Sequence, residues 1–282
     1  MPFEYNPTRN YFSFQRVRLE FEVLEERRFP EGKAGNILRG ELGWALRERQ
    51  PEFYVQYFEP RQAVGPGPSG FANPPRLFVL RAHHLEGKTF HPGENFRADL
   101  HLFRNTPAGP FVSALGLTGL GRLRNTILET ITVRLDQSPK GIPSSKLTVR
   151  FLTPTELKSA GEFAGGPDFP KVFARARDRI RALASHTLTL DFDGMAQRAG
   201  RITLISQRIT SHRRARTSSK TGQTHPIGGF TGEATYEGDV DEFVPLLQAA
   251  HWTGIGRQTV WGKGVIQVVG ACENETIEPA TP

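Results

Sequence analysis

From Val17 to Val23 apolar and charged residues alternate, with Arg18, Glu20 and Glu22 between Val17, Leu19, Phe21 and Val23. That period of two predicts a half-buried β-strand, led in by Phe12 and Phe14. After a turn at Pro30-Glu31-Gly32 the period lengthens. Ile37, Leu38, Leu42, Ala45 and Leu46 recur at three-and-four spacing and predict a helix, with Arg39, Arg47 and Arg49 around its other faces. Gly40 and Gly43 each weaken such a helix by about 1 kcal/mol, so close packing against a sheet is expected of them. Eight prolines and glycines between Pro60 and Pro75 predict a loop. Leu77 to Leu85 and Asn95 to Phe103 read as two strands about a His91-Pro92-Gly93 turn, Phe111 to Leu117 as a helix, and Ile127 to Leu135 as a strand.

The same order then returns. Leu147, Val149 and Phe151 predict a strand, and Phe169, Val172, Phe173, Ala176, Ile180 and Leu183 a helix stripe. Ile202 to Thr210 and Phe230 to Tyr236 read as strands. Val240 to Leu247 reads as a short helix with Asp239 or Asp241 as N-cap, and Gly264 to Val269 as a closing strand. Twice over the order is βαββαβ, which predicts an α+β fold of two tandem ferredoxin-like domains. The expected division is a first domain over 1–138, a linker over 139–146 rich in Pro, Gly and Ser, a second domain over 147–272, and a tail over 273–282.

Composition narrows the class. The 282 residues hold 37% hydrophobic and 23% charged side chains, as a soluble globular chain does, with no uninterrupted apolar run of the roughly 18 residues that spans a bilayer. No membrane association is expected. The first 18 residues lack the apolar core of an export signal. The single cysteine, Cys272, forms no internal disulfide and no cysteine-based zinc site, in keeping with a reducing cytoplasm. A net charge of +7 favours a polyanionic partner. Its distribution says more. Between Asp193 and Glu233 there is no acidic residue, whereas Arg198, Arg201, Arg208, Arg213, Arg214, Arg216 and Lys220 all fall there. Such a one-sign stretch reads either as a phosphate-facing hairpin or as a solvated surface loop.

Gly254-Ile255-Gly256-Arg257-Gln258-Thr259-Val260-Trp261-Gly262-Lys263-Gly264 places two Gly-x-Gly pairs around five residues, between a helix and a strand. Glycines here permit positive φ and leave backbone N–H groups to face phosphate oxygens. The bland alternative is a structural helix-to-strand turn. Neither a Rossmann fingerprint nor a P-loop fits this spacing and element order. The loop resembles the Gly-φ-Gly-x5-Gly-φ-Gly signature of the RAMP superfamily of CRISPR-associated proteins. The run from Gly228-Gly229-Phe230-Thr231-Gly232-Glu233 to Gly264 is similar to the C-terminal domain of its repeat-processing endoribonucleases, the Cas-six family. Leu38-Arg39-Gly40-Glu41-Leu42-Gly43-Trp44 looks like that family's first helix, and Gly119-Leu120-Gly121-Arg122 like a degenerate glycine loop.

The resemblance implies metal-independent cleavage of CRISPR precursor RNA within the repeat, by attack of a 2′-hydroxyl that leaves a cyclic phosphate and a 5′-hydroxyl. It implies no cofactor and no metal site. A non-catalytic RNA-binding subunit of a CRISPR effector complex is the alternative, with other effector subunits as further partners and a monomer or homodimer as the assembly. The family often places a histidine near the first helix; this chain has none before His83. Candidate catalytic residues are therefore Lys33 and Arg39 at that helix, where a phosphate would also feel the helix dipole, and His212 and His225 flanking the basic stretch. Each histidine reads equally as a polar turn residue. Candidate RNA-binding residues are Arg208, Arg213, Arg214, Arg216 and Lys220, and in the loop Gly254, Gly256, Arg257, Gln258, Thr259, Gly262, Lys263 and Gly264. His83-His84, read as adjacent strand residues on opposite faces, make a poor metal site.

Overall fold

The alternation met at Val17 extends over a twelve-residue strand, β1 (Tyr11–Glu22), and both of its faces are used. Val17, Leu19 and Phe21 point into a core under the first helix; Phe12 and Phe14, on the opposite face, enter the core of the C-terminal half. A computed structural model describes residues 10–59, 74–136, 145–159, 162–163, 165–217 and 224–269. The expected linker lies mostly outside them, with Lys146 already in a strand, and the tail lies wholly outside, as does Cys272 just before it.

After β1 come α1 (Ala34–Arg49), α2 (Pro51–Phe58), β2 (Phe78–Arg81), β3 (Asn95–Leu102), α3 (Ala108–Leu115) and β4 (Arg122–Arg134). The strands form one antiparallel sheet in the order β2-β3-β1-β4. The second half repeats this with β5 (Lys146–Thr155), α4 (Phe169–Leu183), α5 (Phe192–Ala199), β6 (Thr203–Thr217), β7 (Thr224–Glu237), α6 (Val244–Thr253) and β8 (Ile266–Val269), in the order β6-β7-β5-β8. Both orders are that of the ferredoxin-like fold, so the α+β, tandem ferredoxin-like expectation holds.

Several local expectations are corrected. The strand expected to reach Leu85 stops at Arg81, and His83–Leu85 form a 3-10 turn, so the histidine pair is not a strand pair. The helices α2 and α5 have no counterpart in the sequence reading. Gly43 packs against the Phe58 ring of α2 and not a sheet, while nothing lies within 4 Å of the space above Gly40. The capping residue of α6 is Phe243 and no side chain caps it; residues 241–243 form a 3-10 turn. β6 and β7 pair as far as Thr217 and Thr224, so most of the stretch expected as a hairpin tip is ladder.

The halves are joined by a shared core. Phe12, Phe14, Val79, Phe103 and Leu135 cluster with Val149, Phe173, Phe243 and Leu246 of the second sheet and its helices. On that same face of the first sheet lie Arg16, Arg81 and His101, packed against α6. The Arg16 guanidinium sits 5.6 Å from the Trp252 ring, and the His101 ring meets it edge-on at 5.4 Å.

Candidate functional site

A cleft of about 340 Å3 opens where the two halves meet. Four stretches line it. The approach to α1 gives Glu31, Gly32, Lys33 and Asn36; the turn after β2 gives His83 and Glu86; the β6–β7 ladder gives His212, Gly228 and Thr231; the glycine loop gives Trp261, Gly262 and Lys263. The end of β5 closes its floor with Leu152, Thr153 and Pro154.

The chain holds these walls in register by close backbone approaches. A Cβ on Gly35 would lie 2.7 Å from the Trp261 carbonyl carbon, and one on Gly262 would lie 3.0 Å from the Leu80 carbonyl oxygen. Gly254, Gly256, Gly262 and Gly264 all have φ near +70 to +76°, the left-handed region that glycine enters without strain. Gln258 at φ +60° and the buried Thr259 complete the turn. The loop's amides are largely spent on the protein itself: Ile255 N–H donates to Gly264 O, Arg257 N–H to Glu156 O, Trp261 N–H to Gln258 O and Gly264 N–H to Pro154 O. The expectation that these N–H groups stay free for phosphate is corrected for Ile255, Arg257, Trp261 and Gly264. The glycines shape the wall, and of the loop's cationic residues Lys263 lines the cleft.

Lys33, His212 and Lys263 of the expected site meet in this cleft. The His212 Nε2 lies 2.7 Å from the Thr231 hydroxyl. Arg39 stands next to it, its guanidinium stacked over the rings of Phe58 and Trp261 at 5.2 and 5.6 Å. Arg257 is turned the other way, onto the buried Glu156 at 2.5 Å, and Glu156 also accepts the Gly228 amide at 3.1 Å. That carboxylate thus ties the loop to β7. Of Arg213, Arg214, Arg216 and His225 the structure describes the backbone: all lie in the β6–β7 ladder, with Arg216 opposite His225. Lys220 lies outside the described residues.

Two electrostatic expectations change. The acid-free stretch is not unopposed in space, because neighbouring elements supply carboxylates. Arg198 is held by Glu242 at 2.6 Å and Asp191 at 3.2 Å, and Glu233 lies 3.5 Å from the outward Arg208 and 2.7 Å from Arg150. The N-terminus of α1 is not an open anion seat either. Glu86 accepts the Lys33 and Ala34 amides at 2.9 and 3.1 Å, filling the place a phosphate would take. Burial pushes the Glu86 carboxyl upward, against the lowering effect of those amides.

The sequence reading missed His83 and Glu86 as parts of a site. His83 reaches solvent at its rim, yet crowding in the cleft, followed by the nearby Arg81, His84 and His251, lowers its imidazole to about 4. The sole sequence signal was the His83-His84 pair itself. The His251 Nδ1 bonds Ile266 O at 2.8 Å, and burial together with Arg81 lowers it to about 4. Among the described residues no three His, Cys, Asp or Glu side chains gather as a metal site, and no helix is long and apolar enough to cross a membrane.

Comparison with known proteins bears on most of the chain. The family model described as CRISPR-associated endoribonuclease Cas6 matches residues 149–266, and a second model, described as an N-terminal domain, matches residues 12–140. No curated protein matches the sequence. A solved Cas6 product complex is similar with a TM-score of 0.58 at 20% identity, over 91% of this chain and 100% of that one. Thermus thermophilus Cas6 gives 0.58 at 18% identity over 92% and 99%. A further Cas6 product complex gives 0.55 at 19% identity over 91% and 99%. At these identities the likeness is one of fold. The match to the Cas6 family of CRISPR-associated endoribonucleases thus falls on the domain that carries the glycine loop, residues 149–266, and a Cas6-like fold runs along nine-tenths of the chain.

Proposed function

We propose that this protein cleaves CRISPR precursor RNA within the repeat, without a metal ion, through attack of the 2′-hydroxyl on the adjacent phosphate. The products are a 2′,3′-cyclic phosphate and a 5′-hydroxyl. One observation carries this reading: a single cleft between the domains joins Lys33, His212 and Lys263 beside the glycine loop. The reaction needs a proton acceptor at the 2′-hydroxyl, a donor at the leaving 5′-oxygen and positive charge at the phosphate. Lysine and histidine side chains supply all three. With Glu86 on the amides of α1, charge stabilisation falls to Lys33 and Lys263, with Arg39 backing Trp261. The basic β6–β7 arm, with Arg208, Arg213, Arg214 and Arg216, extends the grip along the phosphate backbone.

Solved neighbours support an RNA partner, since two are Cas6 product complexes. Another is a partial Cas6-RT-Cas1–Cas2 complex, similar at a TM-score of 0.52 and 8% identity over 46% of that chain, so other CRISPR proteins are further partners to seek. Acting on a precursor transcript places the protein in the cytoplasm.

The test is cleavage of an end-labelled CRISPR repeat RNA in EDTA with analysis of the product ends. A cyclic phosphate and a 5′-hydroxyl are expected. Tight binding with no product would instead identify a non-cleaving RNA-binding subunit.

A further inference from the structure

We propose that His83 takes the 2′-hydroxyl proton in this cleft and that Arg81 is the positioning residue that holds it there; this deepens the function proposed above and rests on it. The first helix carries no histidine, and among the described residues of the cleft wall there are two imidazoles, His83 and His212. The His212 Nε2 is engaged with the Thr231 hydroxyl on its own sheet. His83 projects from the opposite domain, in a 3-10 turn closed by Leu85 N–H to Ala82 O at 3.0 Å and Glu86 N–H to His83 O at 3.3 Å.

What fixes that turn lies two residues earlier. Arg81 is 6% exposed, and its guanidinium donates to the carbonyls of His251 and Trp252 at 2.7 and 3.0 Å. The His101 ring reaches Trp252 O at 2.9 Å, and Arg179 of α4 donates to Thr253 O at 2.8 Å. The last carbonyls of a helix have no partner within it. Here those of α6 are satisfied by side chains from both domains. The next residue is Gly254, where the glycine loop begins. One anchor therefore sets both cleft walls, the turn bearing His83 and the loop bearing Trp261, Gly262 and Lys263. A side chain acting through such an anchor governs sub-ångström placement, on which rate depends steeply.

The charges are consistent with a proton acceptor. Crowding in the cleft first, then Arg81, His84 and His251, lower the His83 imidazole to about 4, and Lys33, Glu31, Glu86, His212 and Lys263 also face the cleft. In the step, the 2′-hydroxyl proton passes to the imidazole as the O2′–P bond forms. The P–O5′ bond breaks, and the 5′-oxygen takes a proton from the Lys33 ammonium. Proton exchange with water then restores both side chains, and no oxidant, reductant or other reactant is consumed.

The experiment is single-turnover cleavage of a labelled CRISPR repeat RNA in EDTA from pH 4.5 to 8.5, with RNA affinity measured in parallel. It compares the native protein with His83→Ala, Arg81→Lys and Arg81→Gln. Native protein is expected to lose rate only toward the acid end. His83→Ala should lose ~10²-fold or more in rate with affinity within threefold, and added imidazole should restore part of it, which a merely structural role would not allow. Arg81→Gln removes a charge that lowers His83, so its acid limb should move to higher pH. If it does not fold, Arg81→Lys still reports, with a lowered rate and an unchanged acid limb. A native protein that binds but does not cleave overturns the enzymatic reading and this proposal together. A native protein that cleaves while His83→Ala cleaves equally, or is inactive without imidazole rescue, overturns the His83 assignment alone.

Discussion

Replacing Gly35 by alanine tests whether α1 and the glycine loop share one fixed geometry. The added Cβ would sit 2.7 Å from the Trp261 carbonyl carbon and closer still to its oxygen, where ordinary contact begins at 3.4 Å. Both obstructing atoms are backbone, so no rotamer change relieves the clash. The loop or the helix must retreat by about 1 Å. Overpacking of this kind costs ~1–3 kcal/mol, and the better helix propensity of alanine returns about 1 kcal/mol. The net loss of stability is therefore modest, on the order of 1 kcal/mol. The rate should suffer more, because displacing Trp261, Gly262 and Lys263 by about 1 Å costs ~10²-fold. Gly40 supplies the control: it lies on the same helix, is exposed and has nothing within 4 Å, so alanine there should add roughly 0.5–1 kcal/mol and leave cleavage unchanged. Urea unfolding and single-turnover cleavage of the two variants, side by side, make the measurement. If Gly35→Ala gains stability and cleaves as Gly40→Ala does, the two elements are not held at this approach, and the reasoning about a preset cleft is refuted.

Three further outcomes follow from the same geometry. Glu86→Ala strips the acceptor from the Lys33 and Ala34 amides and should lower stability by about 1–2 kcal/mol in thermal unfolding, with Glu86→Gln intermediate; no shift for alanine would remove Glu86 from that role. His101 and His251 are held below the unfolded imidazole value of 6.5, mainly by burial, so between about pH 4 and 6.5 the unfolded chain binds more protons than the folded one. Stability should thus be complete above about pH 6.5 and fall on acidification by up to ~1.4 kcal/mol per pH unit per histidine, read from urea midpoints, and a flat profile would contradict it. Alanine at both Arg213 and Arg214 should weaken RNA binding and reduce the slope of log affinity against log salt by up to ~2, whereas unchanged affinity across a salt series would argue against a phosphate-gripping β6–β7 arm.

The sequence alone determined whatever depends on backbone period. Val17 to Val23 alternate because strand side chains do, and the stripes of α1 and α4 recur at helical spacing because each must cover one core. The repeated βαββαβ order and the glycine loop are local features of the same kind, so they were legible. Tertiary structure decided what depends on residues far apart in the chain. Only folding shows that Glu242 and Glu233 answer arginines from an acid-free stretch, or that Glu86 fills the first turn of a helix that begins some fifty residues earlier. Only folding lays Phe12 and Phe14 on the second domain while Val17 and Leu19 face the first. His83 reads as an ordinary polar residue until Arg81 clasps the end of α6 and sets it opposite His212. The physical reason is common to all these cases. Period and propensity are properties of adjacent residues, whereas the partner that neutralises a charge or completes a site is chosen by the packing of sheets.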